Sequence, residues 1–96
     1  MLIDKGIAAN EVITIRTTGG DEVLAKLIEE TQDSYVISKP LLLAANQKGV
    51  GLVPMLFTVN PDKDIKIMKS SIMAVAPTDI DFAKQYTQST TGIALS

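Results

Sequence analysis

Residues 11–29 read EVITIRTTGGDEVLAKLIE, and the folding of this stretch decides the fold class. Residues 11–17 are rich in β-branched side chains, with Ile13 and Ile15 two apart, which signals a strand. Thr18-Gly19-Gly20-Asp21 follows, and a Gly-Gly pair can take the positive φ values of a tight hairpin turn. Residues 22–29 admit two readings. Leu24, Leu27 and Ile28 sit at helical spacing. In a strand, Val23, Ala25 and Leu27 line one face, with Glu22, Lys26 and Ile28 on the other. The preceding turn and the length of the two arms favour the strand. Residues 11–29 therefore read as a β-hairpin.

The pattern continues on the C-terminal side. Residues 30–34, ETQDS, form a polar turn, and residues 35–43, YVISKPLLL, a third strand. Pro40 cannot donate to a ladder, so this strand is expected to be edge-like or bulged there. A loop is expected over 44–49 and a fourth strand over 50–59, with Pro54 inside it. Asn60-Pro61-Asp62-Lys63-Asp64 is a turn signal. Short strands are expected at 65–68 and 72–76, around Lys69-Ser70-Ser71. Beyond Pro77 the period changes. Thr78 or Asp79 can cap a helix, with Asp81 in its first turn, and the pairs Ile80/Ala83 and Phe82/Tyr86 have helical spacing. The spacing predicts a short helix over 79–86. Residues 87–96 read as a Ser/Thr-rich tail ending in Ile93-Ala94-Leu95.

Ninety-six residues, 10.3 kDa, make one domain with one modest core. Hydrophobic residues at 46% and charged residues at 21% exclude a disordered chain. Cysteine, histidine and tryptophan are all absent. That removes a disulfide framework, a Cys/His zinc site and any nucleophile served by a histidine base. Lack of cysteine fits a reducing compartment. Met1 to Gly6 lacks the basic and apolar regions of a signal peptide. The longest apolar stretch, 50–59, is interrupted and far shorter than the roughly 20 residues that span a bilayer. A soluble, cytoplasmic protein is expected.

The net charge is −2, with pI about 4.9. Residues 1–34 carry −4, residues 35–78 carry +3, and residues 79–96 carry −1. The basic middle holds Lys39, Lys48, Lys63, Lys66 and Lys69. Charge asymmetry of this kind is also what ordinary surface scatter produces. Short strands with turns between them describe a small barrel or sandwich.

Two stretches resemble the Sm/LSm family of small barrels. Residues 13–38 follow the Sm1 plan of strand, Gly turn, strand, polar loop and strand. Gly20 stands at the turn glycine, Val23 and Leu27 at core positions, and Ala25 where a glycine is usual. Residues 68–77, MKSSIMAVAP, resemble the Hfq-type Sm2 motif, with Lys69, Ile72, Val75 and Pro77 in place. Ser70 replaces that motif's histidine, while Thr31 and Tyr35 replace the family's loop Asp and Asn. Gln32 corresponds to the polar glutamine of the Hfq-type first loop. The resemblance covers about two-thirds of the chain and extends to Sm-like proteins of phages; a phage protein would work in the host cytoplasm.

The resemblance implies a mostly β fold: a small, strongly bent, five-stranded antiparallel Sm-like barrel with a short C-terminal helix. Residues 1–10 would be an N-terminal segment, with residues 2–9 as a helix weakened by Gly6; 11–77 would be the barrel and 78–96 the helix and tail. Residues 44–64 would be an enlarged hairpin, with 65–68 ending the fourth strand and 72–76 forming the fifth. It also implies a homo-oligomeric ring of about five to seven subunits that binds single-stranded RNA. The site would comprise Thr31, Gln32, Tyr35, Lys69, Ser70 and Ser71. Repeated around a pore, Lys69 becomes a ring of like charge able to hold phosphates. Tyr35 would stack on a base, and Gln32 would read a base edge. The replacements at Thr31, Tyr35 and Ser70 support an alternative, a structural or assembly protein without RNA binding. No catalytic, metal or cofactor site is expected. Asp62 and Asp64 lack further ligands in sequence, and Gly49-Val50-Gly51 is not a phosphate loop.

Overall fold

The computed structural model describes residues 7–91. Among these are six strands: β1 (Val12–Thr17), β2 (Glu22–Glu30), β3 (Ser34–Asn46), β4 (Gly49–Pro54), β5 (Ile65–Met68) and β6 (Ile72–Pro77). A single 3-10 turn (Lys69–Ser71) joins β5 to β6, and one helix, α1 (Ile80–Thr91), follows. All pairings are antiparallel, in the order β4-β3-β2-β1-β6, with β5 on the same edge of β3 as β4. The fold is mostly β with a C-terminal helix, as expected, but has six strands rather than five. Among the described residues no pairing joins β6 to β4 or β5, so the sheet is not closed into a barrel.

The β1–β2 hairpin forms as the alternation of its apolar residues predicts. Ile13 lies opposite Ala25 and Ile15 opposite Val23, all fully buried. The turn spans Thr18, Gly19 and Gly20, closed by Thr17 N–H to Asp21 O at 2.9 Å and Gly20 N–H to Thr17 O at 3.0 Å. Of the two glycines only Gly20 has positive φ, +99°. The row Val75, Ile15, Val23, Leu42 crosses four strands in register on one face. The core there comprises Ile13, Ile15, Val23, Ala25, Leu27, Ile37 and Ile67.

The third strand departs from expectation in its length. Ala44 and Ala45 pair with Gly51 and Val50, so β3 runs through Asn46, where a loop was expected, and turns over Gln47-Lys48. Lys39 and Pro40 face the single residue Ala25, a bulge at the proline. The bulge divides the outer edge of β3: β5 pairs with Ser34 to Ile37, and β4 with Leu41 to Asn46. The expected fourth strand is correspondingly cut short. Pro54 ends β4, and residues 55–64 form a connecting loop with the expected turn at Asn60, closed by Lys63 N–H to Asn60 O at 3.0 Å.

Helix α1 is longer than expected. Asp79 caps it, accepting Asp81 N–H at 3.1 Å. It continues through Thr87 and Thr90, whose hydroxyls donate back to the carbonyls of Ala83 and Tyr86. Tyr86 is buried, 2% exposed, and packs the helix on the sheet face opposite the main core, the face that carries Leu24. The expected N-terminal helix does not include residues 7–10, which are coil and turn, and its remainder lies outside the described residues. So does Ile93-Ala94-Leu95. Among the described residues no helix is long and apolar enough to cross a membrane.

Candidate functional site

The two loops that sequence singles out meet at one end of the sheet. The strand register brings them there: Ser34 lies opposite Met68, and Tyr35 opposite Ile67. Lys69 N–H donates to Asp33 O at 2.9 Å, joining the 3-10 turn to the β2–β3 turn. Ser71 O accepts Thr18 N–H at 2.9 Å, which adds the β1–β2 turn to the same end.

Within this cluster the side chains have different roles. Thr31 holds its own turn. Its hydroxyl accepts Ser34 N–H at 3.0 Å and bonds the Ser34 hydroxyl at 2.7 Å. Ser34 is fully buried, and these bonds satisfy it. Thr31 thus keeps the turn shape and faces inward. Gln32, Ser70 and Ser71 are exposed. Tyr35 is half-buried, packed on the core cluster.

Lys69 is the centre of the cluster. Its Nζ donates to Glu30 Oε2 at 2.7 Å and lies 5.1 Å from the centre of the Tyr35 ring. The hydrogen bond with Glu30 raises the Lys69 pKa, against partial desolvation, and Tyr35 and Asp33 reinforce the rise. The ammonium is firmly charged, and a carboxylate already balances it. A shallow, open depression lies beside it, lined by Tyr35, Lys69, Ile72, Met73, Ala74 and Val75.

Sequence reasoning missed Glu30 and Asp33 as members of this site. In the sequence Glu29-Glu30 reads as an exposed acidic pair and nothing more. Glu30 and Lys69 are 39 positions apart, and no local motif joins them. The basic middle segment does not form one patch either. Lys48 lies in the turn beyond Asn46, at the opposite end of β3 from Lys69. Lys39 contacts Asp62 Oδ1 at 3.7 Å, which occupies half of the Asp62/Asp64 pair. Among the described residues no group of three or more acidic side chains is placed to hold a metal ion.

A scan of protein-family models finds none that matches this chain, and a search of curated proteins finds no relative.

Proposed function

We propose that this protein is an Sm-like subunit whose function is assembly: copies join edge to edge into a homo-oligomeric ring. The observation that carries this reading is the pair of unpartnered edges on either side of the 3-10 turn. Among the described residues β5 pairs only with β3, and β6 only with β1, so each has one edge without a described partner. Met68 on β5 is 43% exposed and Met73 on β6 is 68% exposed. Apolar free edges of this kind invite pairing with another chain. The edges β5 and β6 fit a heterologous, head-to-tail contact, which closes into a ring when the rotation between copies divides a full turn and runs on as a filament when it does not. The Lys69–Glu30 pair supports an assembly role over a nucleic-acid role, because the one lysine of the site is already matched by a carboxylate. In this reading the bent open sheet corresponds to the Sm-like barrel.

A second reading, an RNA-binding ring, is favoured by one observation: Lys69 lies over the Tyr35 ring with Gln32 and Ser70 exposed nearby. A phosphate would compete with Glu30 for the ammonium.

Native mass spectrometry tests assembly. The expected result is one closed oligomer at micromolar concentration; a stable monomer there overturns the proposal. Titration of the intact oligomer with U-rich and A-rich RNA at two salt concentrations separates the readings. The assembly reading expects no binding at low salt. Binding that weakens with salt and is lost in Lys69→Ala establishes the second reading instead.

A further inference from the structure

We propose that the cavity at the Lys39–Pro40 bulge binds a small aromatic carboxylate, with Lys39 as its anchor. The cavity measures about 200 Å³. Cavities of roughly 150 Å³ already admit benzene when their walls are apolar. Here the walls are Pro40, Leu41, Pro54, Leu56, Val59 and Ile65, from β3, β4, β5 and the 55–64 loop. Ser89 and Thr90, near the end of α1, complete one side. An apolar pocket with a few convergent polar groups is the usual form of a small-ligand site.

The charge that would select a ligand is Lys39. Its backbone is left-handed, φ +51°, a costly conformation for a residue with a Cβ. The surrounding structure holds it there: Tyr86 Oη donates to Lys39 O at 2.9 Å. The result places the lysine side chain at the cavity wall. Its ammonium has two long contacts, Pro61 O at 3.4 Å and Asp62 Oδ1 at 3.7 Å, and Asp62 is 87% exposed. Contacts that long and that wet exchange readily for a shorter, charge-assisted bond to a carboxylate. An aromatic ring suits the apolar walls, and the carboxylate suits the lysine. This site shares no lining residue with the depression beside Lys69, and its argument does not rest on the assembly proposal.

The test is a two-dimensional amide NMR titration of the full chain with benzoate and with benzyl alcohol, its neutral counterpart. The expected benzoate Kd is about 1–10 mM, as befits so small a ligand, with shifts centred on Lys39, Leu41, Ile65, Ser89 and Thr90. Benzyl alcohol is expected to bind about tenfold more weakly, the value of one charge-assisted contact. Lys39→Gly relieves the left-handed backbone while removing the ammonium, and it is expected to lower benzoate affinity to that of benzyl alcohol. A thermal melt confirms that this variant is folded, and Lys39→Gln serves as a second variant without the charge. Equal affinity for the two compounds, shifts centred elsewhere, or unchanged benzoate binding in both folded variants overturns the proposal.

Discussion

The Tyr86 hydroxyl on α1 donates to the carbonyl oxygens of Ser38 and Lys39 at 2.9 Å each, so the helix and the β3 bulge hold one another in place. The bulge interrupts the ladder and leaves carbonyls without strand partners. A phenol brought by a helix 47 positions away supplies the donor. Tyr86→Phe keeps the ring and removes the donor, and should cost about 1–2 kcal/mol. Tyr86→Ala also empties the buried ring volume and should cost about 3–5 kcal/mol. Urea unfolding of the two variants measures both. A phenylalanine variant as stable as the parent would show that the hydroxyl does not hold the bulge.

The same residue makes stability depend on alkaline pH. Burial pushes the Tyr86 hydroxyl up to about 12, with a partial opposing effect from the Lys26 backbone. In the unfolded chain a tyrosine titrates near about 10. The folded value is the higher one, so the native state keeps a proton that the unfolded state loses. This contribution is full below about pH 10 and is lost as pH rises through the folded value. The urea midpoint should fall between these two values, and fall less in Tyr86→Phe. Parallel curves for parent and variant would count against it.

At the β1–β2 turn, Gly20→Ala should destabilise through the backbone alone. A Cβ at Gly20 would meet no atom within 4 Å, yet φ is +99°. The expected cost is about 1–2 kcal/mol from the left-handed conformation. Gly19→Ala, with ordinary φ and its nearest neighbour atom at 3.8 Å, should be tolerated. Chemical denaturation of the pair checks this, and equal costs at the two positions would contradict it.

Edge pairing makes a prediction at Val75. Thr78 N–H bonds Val12 O at 3.1 Å, and the β1–β6 register alternates from there, so Ala76 and Ala74 bond β1 while the N–H of Val75, opposite Ile15, faces the free edge. A proline is tolerated where its missing N–H faces outward. Val75→Pro should therefore leave the subunit folded by circular dichroism and dissociate the oligomer in native mass spectrometry. An intact oligomer in a folded variant would show that β6 is not the contact.

The Glu30–Lys69 pair bears on RNA. If the RNA reading holds, Glu30→Gln frees the ammonium and should tighten binding of U-rich RNA about tenfold at low salt, measured by fluorescence anisotropy. If the assembly reading holds, the variant stays silent towards RNA.

Legibility in the sequence followed the range of the interactions. The hairpin over 11–29 was legible because period-two burial is local: Ile13, Ile15, Val23 and Leu27 are all buried. The Lys69–Ser71 turn between two short strands was legible for the same reason, as was the Asp79 cap. The helix end was misread, because the low helix propensity of the Ser/Thr run from Thr87 is a local signal that tertiary context overrides. The fourth strand was misread because Pro54 lies within an apolar run, and only pairing with β3 shows where the ladder stops. Of the candidate site, the two loops were legible one by one, and the pairing of Ser34 with Met68 and Tyr35 with Ile67 brings them together. The charge balance did not, since Glu30 reaches Lys69 only through the register of β2, β3 and β5.

The sequence by itself determined a mostly β chain, its first hairpin, the bulge-prone proline in the third strand and a capped C-terminal helix. Each is set by propensities and spacings within a few residues. Only the tertiary structure decided which edges stay unpaired, that Lys69 is matched by Glu30, and that a cavity opens beside Lys39. Those depend on pairing between segments far apart in the chain, where register and packing rather than local composition choose the neighbours.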